Sequence, residues 1–122
     1  MDNIVGESFP KRVRLSSASE YRRVFDNNFR VGDACITILV RTRSGSCPRL
    51  GFAIARKQIH KAAHRNRIKR VIRESFRKNR QRLPARDMVF MVRQPILLID
   101  GPELNSNLEK HWNNVIKQCE NS

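Results

Sequence analysis

The run from His64 to Arg80, "HRNRIKRVIRESFRKNR", most narrows what this chain can become. Its apolar and small residues Ile68, Val71, Ile72, Ser75, Phe76 and Asn79 fall on one side of a helical wheel, so it reads as one amphipathic helix. The same run carries eight Arg and Lys residues, His64, and a single acid, Glu74. Like charges four apart, as in Arg65/Lys69, Lys69/Arg73 and Arg73/Arg77, repel by roughly 0.2–0.5 kcal/mol each. Burying Ile68, Ile72 and Phe76 on a sheet is worth roughly 1.5–3 kcal/mol apiece, which outweighs that repulsion. The fold can therefore carry a helix whose other face gathers Asn66, Arg70, Arg73 and Arg77, flanked by Arg67 and Lys78. Glu74, four residues after Arg70 and four before Lys78, relieves only part of the crowding.

The cations continue upstream as Arg56, Lys57 and Lys61. Arginine predominates over lysine, and its planar fork bridges phosphate oxygens in two-pronged fashion. Over 122 residues the net charge is +14, with a pI near 11.2. Such an excess calls for a polyanion, nucleic acid first and an anionic membrane surface second. No apolar run reaches the roughly 18–20 residues of a membrane span. The opening "MDNIVGESF" lacks the cationic and apolar regions of a signal peptide, so the expected compartment is the cytoplasm.

Catalytic signatures are missing. The acids are scattered, and no Ser/His/Asp pattern or glycine-rich phosphate loop occurs. His60, His64 and His111 lack metal-ligand spacing, and His60 and His64 suit polar contacts within the basic patch. Cys35, Cys47 and Cys119 form neither a zinc pattern nor a disulfide framework, in keeping with a reducing compartment.

The remaining elements read as follows. Residues 1–10 look like a flexible segment of a single domain spanning 1–122. Ser17 and Glu20 make a capping box that opens a helix bearing Tyr21, Val24 and Phe25, ending near Asn27 and Asn28. Residues 34–41 alternate as a strand, "TRSGSCPR" turns, and "LGFAIAR" is a second strand, most simply its antiparallel hairpin partner. Phe52 and Ile54 give that strand a bulky face. Gly51, Ala53 and Ala55 give it a small one with room for something to lie across it. Pro84 stops the basic helix and "DMVFMVR" is a third strand. After a turn at Asp100, Gly101 and Pro102, a second capping box at Ser106 and Glu109 opens a last helix. Its stripe is Leu108, Trp112, Val115, Ile116 and Cys119. The order is α-β-β-α-β-α, an α+β two-layer sandwich. Strands rather than a short helix precede the basic helix, which argues against helix-turn-helix DNA binding and modestly favours RNA.

The run "ARKQIHKAAHRNRIKRVIRESFR" closely resembles the signature of the bacterial ribonuclease P protein subunit, with Arg65, Asn66 and Arg67 as its Arg-Asn-Arg core. The resemblance extends from Phe9 to Val115 through "RLSSASEYRRVF", "ITILVR", "RLGFAIARK" and Trp112. It implies a left-handed β-α-β crossover through the basic helix. It also implies a protein cofactor with no catalytic residue of its own. The catalyst would be a large RNA that removes the 5′ leader of precursor tRNA, with Mg2+ held by that RNA and the substrate. Neither a membrane nor an obligate protein partner is expected. Carried over by position, Arg65, Asn66, Arg67, Lys69, Arg70 and Arg73 would bind the RNA subunit. Tyr21, Phe25, Leu39, Arg56 and Lys57 would bind the leader, aromatic faces stacking bases while cations follow the backbone. Phe25 suits core packing equally well, and Leu39 stands where other members carry an aromatic. The alternative functions are a ribosomal or generic structured-RNA-binding protein and, with no visible site, a self-sufficient nuclease.

Overall fold

The computed structural model describes residues 11–121. The segment 1–10 anticipated as flexible lies outside them. Three helices, α1 (Ala18–Asp26), α2 (Ala62–Asn79) and α3 (Gly101–Glu120), accompany four strands: β1 (Asn28–Gly32), β2 (Ile36–Arg41), β3 (Arg49–Phe52) and β4 (Asp87–Val92). The strands form one sheet in the order β1-β2-β4-β3. β1 and β4 both run antiparallel to β2, while β3 runs parallel to β4.

The α+β class holds, but two readings of the strands need correction. Strand β1, "NFRVG", was not anticipated, because it is short and follows Asn27 directly. It is the true hairpin partner of β2, pairing Val31 with Ile38 and Phe29 with Val40. Asp33 builds the turn between them by accepting from the amides of Cys35 and Ile36 at 2.8 and 3.0 Å. Conversely, β2 and β3 are not a hairpin, because β4 is inserted between them. Met88, Val89 and Phe90 of β4 are fully buried, on both faces of the strand. Only an interior position with cover on each side accommodates that pattern. The chain therefore leaves β3, traverses α2 and returns as β4 in parallel, a β-α-β crossover.

Helices α2 and α3 cover one face of the sheet. Ile68, Ile72 and Phe76 pack with Leu108, Trp112 and Val115 against Ile38, Met88 and Phe90. The stripe read from the helical wheel is the buried one: Ile68, Ile72, Ser75, Phe76 and Asn79 are all inside, with Val71 half-buried. The polar members are satisfied. The Trp112 indole donates to Ser75 Oγ at 2.8 Å, and Asn79 Nδ2 donates to Ser75 O at 2.7 Å. The Phe90 and Trp112 rings meet edge to face at 5.4 Å.

The last helix starts earlier than Ser106. Asp100 caps it, accepting from the Glu103 amide at 2.8 Å, and Pro102 sits in the first turn, where a missing N–H costs nothing. Glu109 instead accepts from Asn79 Nδ2 at 2.8 Å and Arg82 Nη2 at 3.2 Å, tying α3 to the end of α2. His111 is buried, and its Nε2 lies 3.1 Å from Asp33 Oδ2, docking α3 on the β1–β2 turn.

Helix α1 covers part of the opposite sheet face, where Val24 and Leu15 pack on Leu39 and Val89. Its capping box is present as read: Ser17 Oγ accepts from the Glu20 amide at 3.2 Å, while Glu20 Oε1 accepts from Ser16 and Ser17 at 2.8 and 3.1 Å. Glu20 Oε2 also receives Arg49 Nη1 at 2.7 Å, and Arg49 grips Asp87 with two further bonds of 2.8 and 2.9 Å. This triad pins the start of α1 over β3 and β4. No disulfide joins the three cysteines, each half-buried. Among the described residues no helix is long and apolar enough to cross a membrane.

The Ser16 and Ser17 amides, then Arg49, lower the Glu20 pKa from 4.5 to about 2. A carboxylate depressed in the folded state contributes stability above its unfolded pKa and loses it as pH falls through its folded one. Glu20→Gln should lower stability at pH 7 by about 1.5–3 kcal/mol. It should also flatten the acid limb of the melting profile between pH 4.5 and 2. Thermal melts across that window check this; parallel acid limbs for both chains would remove Glu20 from the account.

Candidate nucleic-acid interface

The cations of helix α2 take three different environments. Asn66, Arg67 and Arg70 are exposed on its outer face, with Arg77 and Lys78 about two turns beyond Arg70. Arg77 is paired with Glu74, so the N-terminal half of the face holds the more available charge. Lys69 and Arg73 occupy a flank instead, half-buried above the Phe52 ring, with ammonium and guanidinium 5.9 and 5.4 Å from its centroid. Burial, and then the neighbouring Arg14 charge, pull the Arg73 pKa below the usual arginine value. Arg65 turns back on the chain: its Nη1 donates to the carbonyls of both Ile59 and His60 at 2.8 Å.

Those carbonyls belong to the loop that joins β3 to α2. Ala55 O accepts from Gln58 and Ile59 at 3.0 and 3.1 Å, and Ile59 is fully buried as a plug. Arg56, Lys57, His60 and Lys61 project from this loop into solvent.

On the other face of the sheet, Tyr21 lies across the small-residue strand. Its Oη accepts from the Phe52 amide at 3.1 Å. A Cβ on Gly51 would stand 2.7 Å from that Oη, so a glycine is what lets the ring close on the strand. The room read beside Gly51 is thus filled by Tyr21. One turn on, Phe25 is 46% exposed on the same flank of α1, which settles its place outside the core. Leu39 is the correction: at 1% exposure beneath Val24 it belongs to the core under α1 and offers no surface to a ligand. Beyond α1 the uncovered sheet face continues through Ala53, Thr37 and Met91, all half-buried. Arg93 lies over this end, its Nη2 donating to Thr37 Oγ1 at 2.8 Å. Arg30 pairs across from Leu39 and is exposed. Sequence reasoning placed Ala53 on this face but missed Thr37, Met91, Arg93 and Arg30. Strand alternation would have placed Thr37 with Leu39 and Met91 with Val89, but only once the neighbour of each strand was known.

A groove of about 450 Å3 between α2 and α3, lined by Val71 and Ser75, also carries Glu74 and Glu109. Both acids are engaged, by Arg77 and Arg82. Among the described residues no group of three or more His, Cys, Asp or Glu could hold a metal ion.

Residues 9–116 match the family model for ribonuclease P. The chain belongs to the ribonuclease P protein family. It is 44% identical to the ribonuclease P protein component of Methylococcus capsulatus, over 96% of this chain and 91% of that one. The corresponding component of Thioalkalivibrio sulfidiphilus is 38% identical over 96% of this chain and 98% of its own. Among solved structures, the ribonuclease P protein of Thermotoga maritima superposes with a TM-score of 0.72 at 26% identity, covering 84% of this chain and 96% of that one. That of Staphylococcus aureus gives 0.73 at 24% identity over 81% and 91%, a likeness of fold. Membership makes this chain a protein component of an endoribonuclease.

In this ribonuclease P protein, then, Tyr21 and Gly51 are one fitted unit. Gly51→Ala should destabilise the chain by about 1–3 kcal/mol through overpacking against the ring. Adding Tyr21→Ala should cost less than the two single changes summed, because the clash vanishes with the ring. Urea unfolding of the four chains measures the coupling, and strict additivity would mean that the ring does not press on Gly51.

Proposed function

We propose that the chain is the protein cofactor of a ribonucleoprotein that removes the 5′ leader from precursor tRNA in the cytoplasm, the chemistry residing in the RNA subunit. One observation carries this reading. The exposed Asn66, Arg67 and Arg70 lie on a helix packed on one face of the sheet, while Tyr21 and Phe25 line the other. One small domain thus offers a basic helix face and an aromatic pair back to back, and in this proposal the aromatic side is the cleft that receives the leader.

The α2 face suits the folded backbone of a large RNA. Each phosphate neutralised there releases counterions and adds roughly 0.7–0.9 to the salt slope. Lys69 and Arg73 extend the same contact along the flank above Phe52. The cleft suits a single strand: Phe25 supplies a free aromatic face, Tyr21 a fixed one, and Arg56 and Lys57 follow the backbone where the loop leaves Ala53. Mg2+ in this proposal is held by the RNA and the substrate.

Reconstitution tests the reading. Precursor tRNA and Mg2+ are mixed with the chain, with and without the large RNA, at low and near-physiological Mg2+. No cleavage is expected from the chain alone, and faster cleavage is expected at low Mg2+ with both subunits. Cleavage by the chain alone would overturn the cofactor reading, and no effect on the RNA enzyme would favour a ribosomal or other structured-RNA role.

Phe25→Ala is the cleaner probe of the cleft, since the exposed ring contributes little to the core. Loss of one stacked base, worth roughly 1–3 kcal/mol, should cut the preference for leader-bearing over mature tRNA at least several-fold. An unchanged preference in competition binding would assign Phe25 to the surface alone.

A further inference from the structure

Arg65 opens the Arg-Asn-Arg core, yet its side chain behaves unlike its neighbours. Asn66 and Arg67 are exposed, whereas Arg65 is half-buried and directed at the preceding loop. One terminal nitrogen holds two consecutive carbonyls, Ile59 O and His60 O, each at 2.8 Å. Little else fixes that junction. Lys61 caps α2 without a side-chain hydrogen bond, and the first turn contains no acid. The loop is anchored upstream by the buried Ile59 and by Gln58, whose Oε1 accepts from the Gln94 amide at 3.1 Å. Two other arginines make the same kind of clasp on irregular backbone. Arg86 Nη1 donates to Arg41 O and Thr42 O at 3.2 and 2.6 Å. Arg93 donates to Ala34 O and Asp33 O at 3.0 and 2.6 Å. In this fold arginine side chains recurrently hold connecting backbone, through one terminal nitrogen in Arg65 and Arg86 and through Nε and Nη2 in Arg93.

From this geometry we infer that Arg65 is a positioning residue for the substrate side of the protein. It acts through the Arg56–Lys61 loop, not chiefly as a contact to the catalytic RNA, and so couples the two surfaces. The inference rests on the cofactor reading above and assigns Arg65 to the leader rather than to the RNA subunit. Its physical content is a division of labour between two arginines two residues apart. Arg67 delivers charge to phosphate, whereas Arg65 sets the direction from which Arg56 and Lys57 approach the strand in the cleft.

Arg65→Gln and Arg67→Gln each remove one charge, so their comparison isolates the role. The full chain is reconstituted with the catalytic RNA, and three quantities are measured: the salt slope of RNA affinity, KM and kcat for leader-bearing precursor tRNA, and amide hydrogen exchange of residues 56–61 in the RNA-free protein. Arg67→Gln should lower the salt slope by roughly 0.7–0.9, leaving loop exchange unchanged. Arg65→Gln should leave the slope as in wild type, raise KM several-fold at unaltered kcat, and speed loop exchange at least about tenfold. In an Arg56→Ala, Lys57→Ala background, Arg65→Gln should add no further KM penalty, which a merely destabilised fold would not reproduce. Arg65→Lys, which keeps the charge but loses the planar fork, guards against misfolding of the glutamine variant and should show the same KM rise in smaller measure. Equal loss of salt slope in Arg65→Gln and Arg67→Gln, with wild-type KM and loop exchange in the former, would overturn the inference while the cofactor reading stands. Failure of the wild-type chain itself to bind the catalytic RNA would instead overturn the reading beneath it.

Discussion

Strand β4 is buried on both faces and hydrogen-bonded on both edges, and the rest of the molecule is arranged to permit this. Met88 and Phe90 face the large core, Val89 the small one, and neither side tolerates exposure. Because β3 precedes β4 in the chain and lies parallel to it, the connection has to cross the sheet. That crossover is α2, so the constraint that places β4 also places the most basic helix against the sheet with its opposite face in solvent. Helix α1 covers the Val89 side, with Tyr21 and the exposed Phe25 along its flank. The two proposed RNA surfaces thus follow from covering one strand twice.

The charge is distributed less simply than a total of +14 suggests. Arg49 is held between Glu20 and Asp87, and Arg82 by Asn79, Asn113 and Glu109. Arg65, Arg86 and Arg93 hold loop carbonyls. These arginines shape the scaffold. Of the cations that remain exposed, Arg67 and Arg70 on α2 and Arg56, Lys57 and Lys61 on the loop form two groups close in sequence. Repulsion within α2 is tolerated because Ile68, Ile72 and Phe76 are buried, each worth roughly 1.5–3 kcal/mol.

What could be read from the residues alone was what is local. The Ser17–Glu20 box and the buried stripe of α2 depend on residues three and four apart, and both are present. Strand pairing depends on residues far apart, and there the simplest hairpin was the wrong one. A capping pattern at Ser106 and Glu109 was overruled by Asp100, which starts the helix earlier and leaves Glu109 to bind Asn79 and Arg82. Leu39 alternated correctly along its strand, but its exposure depends on what α1 covers, which no periodicity reveals. Arg65 is the subtlest case. Its type and spacing announce phosphate binding, and only its rotamer shows that one terminal nitrogen, Nη1, is held by Ile59 O and His60 O.

The central claim is that one small domain uses opposite sides of its sheet for two RNAs. Lysine-reactive footprinting of the unmodified chain tests it most directly, comparing Lys69 on α2, Lys57 on the loop, and the exposed Lys110 and Lys117 on α3. The catalytic RNA alone should shield Lys69. Lys57 should lose reactivity only when leader-bearing precursor tRNA is added, and not with mature tRNA, while Lys110 and Lys117 stay reactive throughout. Equal shielding of Lys57 by mature tRNA, or a Lys69 as reactive in the complex as in the free chain, would contradict the account.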